Sequence, residues 1–315
     1  MNDSVLVLSI ASALVAGTPI LLAALGEIVT ERAGVMNLGV EGMMLVGAVS
    51  AFWAGVHTGN LAVALLVGGL AGSLLSLVHA VLAITLRVNQ TVSGLSLVIV
   101  GSGLSAFIGN VGDSPLLEAP NGVDVDPLLP AALADVPVLG PIVFGHDIVV
   151  YLAFAAVAVT GRVLYRTTFG LSLRAVGEDP AAADAAGLPV TRIRYLATAI
   201  GGFGAGVGGG YLVLAVLGTW QTGMTAGAGW IAVALVILAG WRPWLALIGA
   251  YVFGALRGLG FTLQIAQVDI PSDFLTMIPF VAAYLVVVLV SASPTRARRV
   301  AAPAALGEPY RREER

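Results

Sequence analysis

The chain has 315 residues, of which 58% are hydrophobic and 10% charged, with a mean hydropathy of +0.97; a soluble domain carries about 25% charged residues, so too little polar surface is present to cover a water-soluble globule. The formal net charge of −3 says little about partners when most side chains face lipid or protein, and neither lysine nor cysteine occurs. Without lysine no P-loop can grip nucleotide phosphates and no Schiff base can form, and without cysteine thiol catalysis, iron–sulfur ligation and disulfides are excluded.

Apolar runs of about 20 residues recur from end to end, which predicts an all-α, polytopic transmembrane helical bundle of about eight spans, with roughly seven to ten compatible with the pattern. The runs lie near 5–25, 36–56, 61–85, 92–109, 146–165, 193–217, 230–240, 243–263 and 273–291. The seventh is too short to cross alone, so 219–229 is expected to re-enter the membrane and complete it as a broken segment. Residues 1–291 form the predicted transmembrane domain, with loops at 110–145 and 166–192 and a basic tail at 292–315. The first run lacks a basic flank and a small-residue cleavage site, and is expected to remain as a membrane helix rather than a removable signal.

Between the first two spans, residues 26–44 interrupt the apolar pattern with acids, an arginine and four glycines. Such a segment is costly at membrane depth unless it lines a cavity or is buried in protein. Asn37 and Glu41 stand at i,i+4 and are expected on one face of the helix that starts there. They either border a translocation path or, in the case of Glu41, tie helices together. Glu27, Glu31 and Arg32 are expected to pair nearer the interface. His57, His79 and His146 lack metal-ligand spacing. His79 reads as a hydrogen-bonded packing residue, and Asn89 and Gln90 as helix caps.

Basic residues set sidedness, because cytoplasmic loops collect positive charge. Arg162, Arg166, Arg174, Arg192 and Arg194, with Arg296, Arg298, Arg299, Arg311, Arg312 and Arg315, place 162–194 and the tail in the cytoplasm. Asp113, Glu118, Asp124, Asp126, Asp135 and Asp147 mark an outer, Pro-rich loop free of basic residues. Counting back puts Arg87 and 27–32 toward the cytoplasm and the N-terminus outside. Inside the cytoplasmic loop, 177–189 reads as a short helix: Asp179 as N-cap, Pro180 at the first position, Gly187 at the left-handed position after the end, and Pro189 as the stop. Two isolated turns are marginal in water, so this helix is expected to dock, either on its own transmembrane domain or in a groove of a cytoplasmic motor subunit.

Gly202, Gly206 and Gly210 recur at four-residue spacing, a stripe that lets helix backbones approach closely in lipid. Trp220 and Gln221, beside a flexible 222–227 stretch, are candidates for stacking on and hydrogen bonding to a base or sugar; interfacial anchoring explains Trp220 equally well. Arg257 lies in an apolar span, where a central charge costs at least about 2.5 kcal/mol. It is expected to face protein or water, as a snorkelling side chain or as a contact to a ligand or partner helix.

The stretch ERAGVMNLGVEGMM (31–44) resembles the signature of permeases in nucleoside-type ABC importers that work with basic-membrane-protein lipoproteins, relatives of the ribose and branched-chain amino acid permeases. RAVGEDP (174–180) with AGL (186–188), GWIAVAL (229–235) and APAALGEPY (302–310) agree, in order along nearly the whole chain. The resemblance implies a transport subunit rather than an enzyme, in a bacterial cytoplasmic (inner) membrane, with no cofactor of its own. It implies ATP and Mg²⁺ on a P-loop ATPase partner, a second homologous permease, an extracytoplasmic lipoprotein binding protein, a nucleoside as solute, and no nucleic acid. On that reading Asn37, Glu41, Trp220, Gln221 and Arg257 are the substrate-path candidates, while Arg174, Glu178, Asp179, Pro180, Asp184 and Gly187 couple the 166–192 loop to the ATPase. The chain departs from the family pattern at Ala228, where a basic residue is usual, and near Arg257, where an acidic one is.

Two rival classes make other demands. An ion-coupled secondary transporter would want matching broken helices in two repeats, and no second copy of 26–44 is visible. An intramembrane enzyme would need paired catalytic groups at membrane depth, and no His/Asp/Ser set or aspartate pair is present there.

Overall fold

A chain in hydrocarbon must satisfy its peptide groups internally, and all regular structure among the described residues is helical. The computed structural model describes residues 3–111, 116, 118–265, 271–291 and 301–311. Its helices are α1 (Asp3–Arg32), α2 (Val40–Thr58), α3 (Leu61–Ala80), α4 (Gln90–Asn110), α5 (Ala131–Ala134), α6 (Ile148–Arg166), α7 (Thr168–Glu178), α8 (Pro180–Ala185), α9 (Val190–Tyr211), α10 (Ala228–Leu238), α11 (Pro243–Ile265) and α12 (Ser272–Ser291). Wider π turns extend α3 to Thr85 and α9 to Leu217.

Six of these segments are long and apolar enough to cross a membrane: Val7–Arg32, Val40–Thr58, Leu61–Thr85, Gln90–Asn110, Ile148–Arg166 and Val190–Leu217. Helices α11 and α12, with 23 and 20 residues, also reach about 30 Å at 1.5 Å per residue. At 11 residues α10 does not. It is preceded by an irregular 218–227 stretch with positive φ at Gly218, Gly223, Ala226 and Gly227, so the seventh apolar run is a broken segment.

Two differences from the sequence reading have physical causes. The apolar pattern of the first span ends near 25, yet α1 runs on to Arg32 because Glu27 and Glu31 are buried among protein partners rather than lipid. The stretch 168–178, read as loop, is a helix; Thr167 caps it by accepting from Gly170 N at 3.1 Å, and its apolar side buries Leu173 and Val176.

Helix α9 is the axis of the bundle, packed between α1 on one side and α2 and α3 on the other. Glycine makes this possible. Gly202 lies against Gly72 and Ser76, Gly206 against Gly68 and Gly69, and Gly210 against Ala51, while on the opposite side Gly201, Gly204 and Gly208 meet Gly26, Leu22 and Pro19 of α1. A β-carbon on Gly206 would fall 3.0 Å from Gly69 Cα, so dispersion contacts run backbone to backbone where no hydrophobic force draws helices together in lipid.

Contacts fix the two ends of the bundle. Gly177 packs on Arg32, Tyr165 Oη donates to Trp241 O (3.3 Å), and Ile84, Arg87, Arg192 and Arg194 line one cleft. Arg162, Arg166, Arg174 and Arg242 belong to the same, arginine-rich end by their place on α6, on α7 and immediately before α11. At the other end Asn121 Nδ2 donates to Leu214 O (2.9 Å), Tyr211 Oη donates to Asp147 Oδ2 (2.6 Å), and Trp220 covers Gly109. Of the described arginines, only Arg257 lies away from the first end.

Candidate functional site

The polar residues of the 26–44 motif converge on a joint between two broken segments. Helix α1 stops at Arg32, and Gly34 takes φ +83°. Asn37 Oδ1 then accepts from Gly39 N at 3.0 Å, a local turn that competes with helix. Helix α2 therefore begins at Val40, Asn37 lies outside it, and the expected shared face of Asn37 and Glu41 does not form. Asn37 is fully buried and donates through Nδ2 to Glu27 Oε2 (3.1 Å). Neighbouring helices hold the rest of the break. Met36 N donates to Gln90 Oε1 (2.7 Å), and His79 Nε2 donates to Met36 O (3.0 Å) while its Nδ1 faces Ser93 Oγ (3.0 Å). Asn89 caps α4 by accepting from Val92 N (3.1 Å).

Glu41, in the first turn of α2, reaches across to the second broken segment. Its Oε1 accepts from Thr225 Oγ1 (2.6 Å) and Gly227 N (3.0 Å), and its Oε2 accepts from Gly229 N (2.7 Å). These amides belong to the unsatisfied N-terminus of α10, where a carboxylate meets both free N–H groups and the positive end of the helix dipole. Gly229 is obligatory by space, since a β-carbon there would lie 2.5 Å from Glu41 Cα.

The far end of α10 is held as well. Trp241, at φ 55° after Gly240 at φ 58°, donates from Nε1 to Glu31 Oε2 (2.5 Å), and Arg32 Nη2 donates to Gly240 O (3.3 Å). Arg32 thus bonds to the α10 terminus rather than to either acid beside it. Sequence reading singled out Glu31 and Arg32 but not Trp241 or Thr225; the Gly-Trp pair closing an apolar run was the available signal. The result is a half-length helix pinned at both ends by residues flanking one break.

The remaining candidates separate. Trp220 is 1% exposed against Gly109, with no hydrogen-bond partner for its indole N–H among the described residues, whereas Gln221 is exposed. Arg257 on α11 is half-buried; its guanidinium interacts electrostatically with Glu41, and Nη1 is enclosed without a hydrogen-bond partner among the described residues. A fixed carboxylate, a helix terminus and a guanidinium can orient a polar solute. Among the described residues no His, Cys, Asp and Glu cluster could hold a metal ion.

On the arginine-rich face, α8 has both ends marked. Asp179 Oδ1 accepts from Ala181 N (3.0 Å) and Ala182 N (2.9 Å), Pro180 occupies the first turn, and Gly187 at φ +86° closes it. Ala183 is buried, while Ala181, Ala182, Ala185 and Ala186 are exposed. Arg174 lies 5.3 Å over the Tyr165 ring, Glu178 accepts from Ala304 N (3.3 Å), and Asp184 accepts from Tyr310 Oη (2.8 Å). Of the tail, 301–311 is described and packed on this face; Arg296, Arg298, Arg299, Arg312 and Arg315 lie outside the described residues.

These residues sit in a bundle with six helices long and apolar enough to cross a membrane, around a half-length helix pinned at both ends. The family model described as branched-chain amino acid transport system / permease component matches residues 9–290, and the chain belongs to that family as a permease component of an ABC transporter. It is similar to the guanosine ABC transporter permease protein NupQ of Bacillus subtilis, 34% identical over 98% of each chain. The nucleoside ABC transporter permease protein NupC of Lactococcus lactis is 33% identical, with 89% of this chain and 91% of that one covered. A putative glucose ABC transporter permease protein, TsgC13 of Haloferax volcanii, is 47% identical over 79% of this chain and 75% of its own.

Proposed function

We propose that this chain is a permease subunit of a nucleoside importer, working by alternating access with a second homologous permease. A separate P-loop ATPase supplies the energy, and an extracytoplasmic lipoprotein binding protein delivers the solute. The observation that carries the transport reading is the joint at Glu41: α10 hangs between Glu41 at one end and Glu31 and Arg32 at the other, beside Arg257, so a small displacement of the 33–39 break re-aims the polar groups facing the path. Asn37, Glu41, Trp220, Gln221 and Arg257 remain the substrate-path candidates, with Arg257 and the α10 terminus best placed to meet a polar solute. The arginine-rich face is assigned to the cytoplasm by the positive-inside rule, which puts α8 where an ATPase can dock on its exposed alanine side.

Nucleosides are chosen because the two relatives that cover 89–98% of this chain and 91–98% of their own length are named for guanosine and nucleosides, whereas TsgC13 covers 79% and 75%. Glucose is the second reading, favoured by the 47% identity to TsgC13. Both are tested by uptake into proteoliposomes holding the chain, its partner permease, the ATPase and the binding protein. Labelled guanosine should accumulate only with ATP on the arginine-rich side, and excess glucose should not compete. Competition by glucose alone selects the second reading, and uptake driven by an ion gradient without nucleotide overturns both.

A further inference from the structure

The segment 303–310 is far in sequence from everything it touches. Ala304 N and Ala305 N donate to Glu178 Oε2 (3.3 Å) and Gly177 O (3.0 Å) in the last turn of α7. Gly307, at φ +83° over the Met36 side chain, donates to Gly34 O (3.3 Å). Glu308 O accepts from Arg194 Nη1 (3.3 Å), while Nε of the same guanidinium donates to Ala33 O (3.2 Å). Tyr310 Oη donates to Asp184 Oδ2 in α8 (2.8 Å). Pro303 and Ala305 are buried, and Leu306 and Tyr310 pack against the main core.

Helix α8 is joined to its neighbours at two non-helical positions, Asp179 (φ −147°, ψ 94°) before it and Gly187 (φ +86°) after it. Joints of this kind absorb displacement through backbone rotation, so a push on α8 alone would dissipate there. The 303–310 segment bridges the first joint, with Gly177 and Glu178 held on one side and Asp184 on the other. It then ties both to Ala33 and Gly34, directly and through the 2%-exposed Arg194. Those residues open the break that leads through Asn37 to Glu41 and α10.

We propose that residues 303–310 are a transmission strap, which makes α8 and the 33–39 break move as one body so that displacement at the docking face reaches the Glu41–α10 joint. Tyr310 and Arg194 are its positioning residues. The proposal rests on the ABC-importer reading above and adds a part to it.

The test uses the whole complex in proteoliposomes and reads solute imported per ATP hydrolysed, with ATPase copurification measured alongside. ATP-dependent uptake by the wild-type complex establishes the importer reading first, so a failure there is separate from a failure of the strap. Tyr310→Phe keeps the ring and loses the Asp184 bond. Gly307→Val puts a β-branched residue at positive φ over Met36. Both should leave the ATPase bound and hydrolysing, while import per ATP falls by about two- to thirtyfold, Tyr310→Phe at the low end. An unchanged ratio in both variants overturns the proposal, as does loss of the ATPase from the complex, which would make the tail an anchor.

Because the chain has no cysteine, Asp184→Cys with Tyr310→Cys can be joined by a short bifunctional thiol reagent. The unlinked pair should uncouple and the linked pair should recover. Failure to recover on linking overturns the strap independently of any folding defect in the single variants.

Discussion

Two short helices in this molecule are capped by carboxylates, and the contrast between them separates the membrane interior from the arginine-rich face. Asp179 caps α8 from the adjoining position, bonding amides two and three residues on. Glu41 caps the start of α10 from 184 to 188 residues away. Around Asp179 water can take over any bond that is lost, whereas Glu41 is 7% exposed and two of its three donors, Thr225 and Gly229, are buried. The same chemistry is therefore an exchangeable local stop at one site and a fixed weld between distant segments at the other. A transport subunit needs both: a stiff joint where the path is gated, and a surface helix that can be moved by a partner.

The largest expected effect is at the weld. Glu41→Ala leaves Thr225 Oγ1 and the amides of Gly227 and Gly229 without their acceptor, at about 1–3 kcal/mol for each buried donor. The thermal unfolding midpoint in detergent should fall sharply, with Glu41→Gln in between because one acceptor oxygen survives. A midpoint unmoved in Glu41→Ala would mean that α10 is held by packing alone.

Next comes the α9 axis. Gly206→Ala forces a methyl into the α3 backbone and should destabilise by about 1–3 kcal/mol through overpacking. Asp179→Ala should weaken α8 by only about 1 kcal/mol, seen as faster hydrogen exchange of amides 181–187 with the global midpoint nearly unchanged. A global loss as large as that of Glu41→Ala would erase the distinction between weld and local stop. The smallest effect belongs to Gly103→Ala on α4, where nothing among the described residues lies within 4 Å of the added carbon; it should be neutral or stabilising by about 0.5–1 kcal/mol. Measured beside Gly206→Ala, it shows whether the penalty in α9 is steric.

Much of the fold was legible because lipid imposes a simple code. Apolar run length gave the spanning helices within a few residues at most ends, since a span must be long and internally bonded. The short seventh run was legible as a broken segment for the same reason, and the ends of α8 could be read because Asp179, Pro180 and Gly187 act within one turn. The shared face of Asn37 and Glu41 was misread because spacing arguments assume helix, and the Asn37 turn delays α2 to Val40. Helix α7 was hidden by its charged and glycine-containing composition, which resembles loop when its buried face is unknown.

By itself the sequence determined that the chain lives in lipid, that most of its arginines fall in 162–194 and the tail, and that it lacks lysine to hold a nucleotide, because hydropathy, charge placement and residue type are additive along the chain. Only the tertiary structure decided that Glu41 seats on α10, that Trp241 meets Glu31, and that the tail returns to Gly34 and Asp184. Those contacts join residues more than 100 positions apart, and the physical demand behind them, a partner for every buried polar group, says that a partner exists without saying which one it is.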